Sequence, residues 1–300
     1  MSRLYLQVMD QKIIFAKGAR ANNGQYLIEY KKIFNFDADQ DHALFLYEIL
    51  DKEIREYSLV KKGFRKPVIE VLYSRSGILY RIVKVPFMPL DDLGKMMEFE
   101  MADYLSVEPL EYETRYQIIE KYDENGQIFW DIAVAGVEKQ KINQIIGILD
   151  NLGLDITCVD ILPSAYQRLF IALPEKDLML IENDGNYSRI CILKEGKVFL
   201  YADFPINNQQ LFAEKDYGTL ITEIRGYMEY FSSRNFGKNV EAIILLGDYS
   251  CPEIAEVVFK SISITVYDNE KVKDVLELSI QDSSGEEICI TEYYGPLSRM

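Results

Sequence analysis

The chain has 300 residues, 48% hydrophobic and 27% charged, a soluble globular balance with length enough for more than one lobe. Its formal net charge of −15 argues against nucleic acid and against adhesion to an anionic membrane, since both need clustered Lys and Arg. No apolar run approaches the ~20 residues that span a bilayer, and His42 is the only histidine, which excludes a histidine metal site or a Ser-His-Asp triad.

From the N-terminus, MSRLYLQVMD breaks at Asp10, too early for the apolar region of a signal peptide. LYLQVM, IIFAKG and QYLIEYKKIF read as three strands, with a hairpin turn at Asn23-Gly24. DHALFLYEILDKEIREYSL reads as a helix, because Leu46, Ile49, Leu50, Ile54 and Tyr57 share one face. A basic break, KKGFRK, precedes the strand VIEVLYS. SGILYRIVKVPFMP is a strand ending in two prolines, and Asp91 and Asp92 are placed to cap the helix LGKMMEFEMADYL. That helix carries an apolar stripe of Leu93, Met96, Met97, Met101, Tyr104 and Leu105. YETRYQIIEKY and QIFWDIAVAGV form a hairpin about the turn Asp123–Gly126. Next comes the helix EKQKINQIIGILDNLG, with Ile142, Ile145, Ile146 and Leu149 on one side and Gly153 at its C-terminal end. LDITCVDIL is a returning strand, and Pro163 opens a short helix that Pro174 stops.

Near residue 178 the opening order repeats. LMLIEN, YSRICILK and KVFLYADFPI are three strands, a helical stretch runs from Gln209 to Phe236, and AIILLG is a fourth strand. Turns fall at Asp184-Gly185 and Glu195-Gly196. A meander with a crossover helix, present twice, predicts an α/β chain with a two-lobed, actin-like (duplicated RNase H-like) fold and a small α+β subdomain inserted in the first lobe. The expected boundaries are 1–80 plus 159–176 for the first lobe, 81–158 for the insertion and 177–300 for the second lobe. Cys158, Cys191, Cys251 and Cys289 are widely spaced without a CxxC, as expected for core thiols in a reducing cytoplasm.

VPFMPLDDLGKMMEFEMADYLSVEPLEYETRYQII, with its pair Phe99-Glu100, resembles the proline-bounded strand and helix of PilM-type pilus assembly proteins. DIAVAGVEKQKINQIIGILDNLGLDITCVDILPSAYQRLF and EIRGYMEYFSSRNFGKNVEAIILLGDYSCPEIAEVV resemble later stretches of the same family, so the likeness covers nearly the whole chain. The resemblance implies an actin-like protein related to FtsA, cytoplasmic and recruited to the inner face of the cytoplasmic membrane. It also implies docking of the short cytoplasmic N-terminal peptide of a PilN-like membrane protein between the first lobe and the insertion, with other pilus platform or motor proteins as further partners.

Phosphate cradling needs backbone N–H groups in glycine-rich turns, and a metal needs fixed carboxylates. Where the family carries D-I-G, this chain reads Gln7-Val8-Met9, followed by Asp10-Gln11-Lys12. The second turn is Glu182-Asn183-Asp184, with Gly185 one position late, and the adenosine loop is Gly247-Asp248-Tyr249-Ser250. If nucleotide is bound, Asp10, Lys12, Glu182, Asp184, Gly185, Gly247 and Ser250 are the residues to hold it. Acids at Asp10, Asp184 and Asp248 repel a triphosphate, and Tyr249 occupies space that a base needs. The expectation is a pseudo-ATPase without a cofactor or metal. The alternative is a slow actin-like ATPase using ATP and magnesium.

An adaptor needs a surface instead of chemistry. Val85, Phe87, Met88, Met96 and Glu100 are the candidates for the partner groove, because an apolar, proline-stiffened strand end and soft methionines suit a peptide ligand. Met97 and Met101 read as core filling beneath the insertion. The expected role is a non-catalytic adaptor of a type IV pilus inner-membrane platform.

Overall fold

The computed structural model describes residues 3–20, 26–36, 42–56, 67–108, 110–171, 173–185, 187–275 and 280–282. The turn at Asn23-Gly24, the KKGFRK break and Cys289 lie outside them. In chain order the first lobe holds β1 (Arg3–Val8), β2 (Lys12–Arg20), β3 (Tyr26–Asn35), α1 (His42–Glu56) and β4 (Val68–Tyr73). The insertion follows as β5 (Leu79–Pro86), α2 (Leu90–Leu105), β6 (Tyr112–Glu124) and β7 (Gln127–Glu138). Then come α3 (Lys139–Asn151), β8 (Asp155–Ile161) and α4 (Leu162–Phe170). The second lobe is β9 (Leu178–Asp184), β10 (Tyr187–Lys194), β11 (Lys197–Pro205), α5 (Asn208–Glu214), α6 (Gly218–Arg234), β12 (Ala242–Leu246), α7 (Pro252–Ile262), β13 (Thr265–Tyr267) and α8 (Asn269–Val275). A last strand, β14 (Ile280–Asp282), pairs in parallel with β3, so this segment returns to the first lobe and does not stay in the second, where the expected boundary put it.

The duplication is plain in the sheets. The first runs β14-β3-β2-β1-β4-β8 and the second β11-β10-β9-β12-β13. In each, three antiparallel strands are followed by two parallel ones. The chain therefore has a two-lobed actin-like fold. Near-continuous burial along β1, β4, β9, β10 and β12 explains why these strands read as unbroken apolar runs.

Three cores hold the body. The largest joins α1, α3 and α4 to the first sheet and to one face of the second, through Leu50, Ile145, Tyr166, Leu180 and Ile244. The other face of the second sheet packs on α6 and α7, through Ile224, Phe231 and Val258. A small third core lies between α2 and the β5-β7-β6 sheet, built on Val85, Leu93, Met97, Ile132 and Val134. Because α4 touches β4 and β8 on one side and β10 and β11 on the other, it seats the lobes on one another.

Local departures have local causes. The stretch from Gln209 to Phe236 is two helices, because Lys215 takes a left-handed conformation (φ 55°) and the Asp216 carboxylate accepts the Gly218 N–H at 3.1 Å. Asp91 and Asp92 lie inside the first turn of α2 and not at its cap, which is Pro89, so they favour the helix through its dipole only. On α3 the buried positions are Ile142, Ile145, Ile148 and Leu149, and they join the first-lobe core. The three-stranded unit thus ends with β7, short of the expected boundary at 158. The turn between β6 and β7 is formed as expected, with Asn125 at φ 55° and Gly126 at φ 85°. No helix of the described residues is long and apolar enough to cross a membrane.

Candidate functional site

Two places between structural units could hold a ligand: the cleft between the lobes, and a groove between the insertion and the first lobe. The cleft is where the β1–β2 turn of the first lobe meets the β9–β10 turn of the second. Its centre is Arg189 on β10, a side chain only 1% exposed. Antiparallel register places Arg189 opposite Glu182 on β9 and Asp203 on β11. Its Nη2 donates to Asp10 Oδ2 across the cleft at 2.5 Å, and Nη1 donates to Asp184 Oδ2 at 3.2 Å. Glu182 Oε1 and Asp203 Oδ1 each lie 3.7 Å from the guanidinium.

Further contacts knit the same seam. Asp10 also accepts the Ser76 N–H at 3.0 Å and the Ser76 hydroxyl at 2.8 Å, with Arg75 Nε 3.8 Å away. Asp203 accepts the Gly77 N–H at 2.8 Å, first lobe to second. Lys12 Nζ donates to both oxygens of Asp248, at 2.7 and 2.8 Å. A Cβ on Gly185 would stand 2.7 Å from Gln11 Oε1, so the two turns are already in contact. Sequence alone offers Lys12 as a cation able to offset one of Asp10, Asp184 and Asp248, and Lys12 does pair with Asp248; the cation between Asp10 and Asp184 is Arg189, which sequence does not single out.

Burial governs the ionisation here. It pushes Glu182 well above the usual carboxylate range, with Asp184 adding to the rise and Arg189 opposing it; the Tyr166 hydroxyl also donates to this carboxylate. Asp203 is raised by burial too, against the pull of Arg189. Burial weakens the Arg189 charge, yet Glu182, Tyr201, Asp184 and Asp10 more than offset that and hold the guanidinium protonated. A raised carboxyl pKa in the folded state means stability that is complete below the unfolded value, about 4, and lost as pH rises through the folded one. Glu182→Gln is therefore expected to flatten the decline of Tm between acidic and neutral pH. Thermal melts of both proteins across that range check it; parallel curves would contradict it.

The residues do not fit a magnesium nucleotide. The Arg189 guanidinium lies between Asp10 and Glu182, and Gln11 stands against Gly185 where the two turns meet. In the loop after β12, Ser250 Oγ donates to the Leu245 carbonyl at 2.8 Å and Tyr249 stacks edge-on to Phe212 at 5.8 Å. Gly247 sits at φ 93°, and a Cβ there would meet Asn183 O at 2.4 Å. Of the seven expected nucleotide residues, all lie at this seam or in its supporting strands, engaged with other parts of the chain. Gln7 is buried, and neither atom of its amide finds a hydrogen-bond partner among the described residues.

The groove is open where the cleft is filled. It has a volume of about 720 Å³. Its floor is Ala133, Ala135 and Val137 of β7; α3 contributes Asn143 and Ile146, and α4 contributes Ser164 and Gln167. Two sheet edges border it: β8 ends the first sheet and β6 ends the insertion's sheet. Val159 of β8 is 37% exposed there, and Val198 of β11 adds to the lining. Basic Arg115, Lys139 and Arg168 and acidic Glu113 and Asp160 lie around the rim, with Arg168 and Asp160 joined as an ion pair.

None of the five expected groove residues lines this space. Val85 is 2% exposed in the insertion's core, and Met96 packs against the same core. Phe87 stacks on Trp130 at 5.2 Å beneath Lys121, and the Met88 carbonyl accepts the Trp130 Nε1–H at 3.4 Å. Glu100 accepts the Tyr104 hydroxyl at 2.6 Å. They sit on the α2 face of the sheet, whereas Ala133 and Ala135, which alternate with the buried Ile132 and Val134, face the groove.

No family profile and no curated protein matches the sequence. Among solved structures, the chain superposes on one of a PilM-PilN type IV pilus biogenesis complex, with a TM-score of 0.71 and 14% identity over 99% of this chain and 96% of that one. It also superposes on a Bacteroides thetaiotaomicron protein of actin-like ATPase fold and unknown function, with a TM-score of 0.50 and 11% identity over 93% and 96% of the two chains. At such identities the likeness establishes a shared actin-like fold.

Proposed function

We propose that this chain is a non-catalytic docking platform that takes a short extended peptide into the groove between the insertion and the first lobe. The peptide is the cytoplasmic N-terminus of a PilN-like membrane protein, and the setting is the inner-membrane platform of a type IV pilus machine. Binding recruits the chain from the cytoplasm to the membrane's inner face, where other platform or motor proteins join it. One contrast carries this reading: the nucleotide cleft is occupied by the chain's own charges, while a groove bordered by two sheet edges stands open.

The groove's chemistry suits that ligand. An edge strand offers unpaired backbone groups for strand addition, and neighbouring pockets select the peptide's side chains. Ala133 and Ala135 leave depth for branched apolar side chains, and Gln117, Asn143 and Gln167 supply uncharged hydrogen-bonding groups. Phosphoryl transfer instead requires a positioned metal and an oriented nucleophile, and the seam offers a guanidinium where the metal belongs.

Titration of the purified protein with N-terminal peptides of membrane proteins encoded beside it tests the proposal. Micromolar binding is expected. Ala135→Trp should abolish it, while Tm stays within about 2 °C because the added ring enters open space. Phe87→Asp, on the opposite face of the sheet, should leave affinity unchanged. If no such peptide binds, or if Ala135→Trp binds as tightly as the original protein, the docking reading fails.

A further inference from the structure

We infer that Arg189 is a built-in ligand of the interlobe cleft: its guanidinium supplies, among these carboxylates, the positive charge that a metal ion would otherwise supply, and holds the two lobes in one arrangement. Three observations carry this. Arg189 is anchored in the second lobe but donates to Asp10 of the first, bridging the turns that converge on the cleft. Its surroundings are a ligand shell and not a chance pair, because Asp10, Glu182, Asp184 and Asp203 approach the guanidinium from two strands and a turn. Lys12–Asp248 and Gly77–Asp203 close the same seam on either side, so Arg189 sits within an interlobe clasp.

The clasp also reaches the groove. Asp203 and Val198 lie on one strand, β11, whose first end borders the groove and whose other end meets Arg189. Lys197 Nζ, also on β11, donates to the Ile119 carbonyl of the insertion at 3.1 Å. Arg189 is accordingly a positioning residue for the groove's second-lobe wall. That consequence rests on the docking reading above; the clasp does not.

Hydrogen exchange of the full chain tests it without any peptide. Millimolar MgATP should leave exchange unchanged in the segments around 10–12, 76–77, 184–185 and 247–248. Arg189→Gln with Glu182→Gln removes one charge of each sign and should raise exchange in those segments about tenfold, with β12 still protected. Arg189→Lys should restore part of the protection. Asp10→Asn, which leaves the second-lobe shell whole, should loosen the same first-lobe segments and guards against a misfolded double variant. Protection of the turns by MgATP in the unaltered protein would overturn the inference. So would unchanged exchange in both the double variant and Asp10→Asn. A failed peptide titration alongside a positive exchange result would sink the docking reading and spare the clasp.

Discussion

Arg189→Met is expected to cost about 3–5 kcal/mol of folding free energy at neutral pH, the usual penalty for removing one partner of a buried ion network. Methionine keeps most of the side chain's length and volume, so little of the loss can be assigned to a cavity. What remains is charge. Asp10, Glu182, Asp184 and Asp203 would then face one another without the guanidinium, Glu182 fully buried and the other three partly so. At neutral pH the variant must leave them ionised in mutual repulsion or take up protons, and either course destabilises the fold. The sign with pH follows. Removing the cation raises the Glu182 and Asp203 pKa values further, so the deficit should shrink as pH falls toward about 5 and these two groups protonate. Adding Glu182→Gln should recover a substantial part of the loss, a coupling that a double-mutant cycle in urea measures directly. A small deficit, independent of pH, would show that Arg189 is a passive core residue.

The duplicated sheets, the insertion and the crossover helices were legible because strand and helix periods, with their turns, are local properties. Asn125-Gly126 is an example: two residues set a hairpin whatever surrounds them. The split between α5 and α6 falls at Glu214-Lys215-Asp216, where the apolar spacing lapses for one turn; the left-handed Lys215 and the Asp216 carboxylate on the Gly218 N–H mark the break. At the seam, sequence offers Asp10, Asp184 and Asp248 as acids facing a phosphate, but not the cation that the first two share. Arg189 had one visible signal, a cation in the interior of the otherwise apolar strand YSRICILK. Register turns that signal into a site, since Arg189 pairs across the ladder with Glu182, and register is a tertiary quantity.

The groove was the least legible part. Apolar and aromatic residues at Phe87 and Met88 drew attention because size suggests contact energy, yet large side chains are what a small subdomain needs for its own core. The open surface is marked by small residues, Ala133 and Ala135, whose use is to leave space. Nothing in an alanine distinguishes tight packing from an empty groove floor. Only the placement of α3, α4 and β8 opposite them does so.

Gly247→Ala is expected to destabilise the protein by about 2–5 kcal/mol with no nucleotide present. Its φ of 93° is one that residues with a Cβ rarely adopt, a cost of roughly 1–2 kcal/mol for a left-handed residue. The larger share is steric. A Cβ would stand 2.4 Å from Asn183 O and 2.9 Å from Asn183 C and N, all backbone atoms of the central strand β9. Asn183 cannot give way cheaply, because it is fully buried, its carboxamide oxygen accepts the Ser188 hydroxyl at 2.7 Å, and its carbonyl accepts the Tyr249 N–H at 3.3 Å. Overpacking of this kind costs about 1–3 kcal/mol further. The glycine that resembles the start of an adenosine loop is thus required by the fold itself, where β12 ends against β9. Chemical unfolding of Gly247→Ala, with and without MgATP, separates the two roles. A loss of stability that is the same in both conditions fits a structural glycine beside a filled cleft. Unchanged stability without nucleotide, together with a nucleotide-dependent stabilisation lost in the variant, would instead return the loop to ATP.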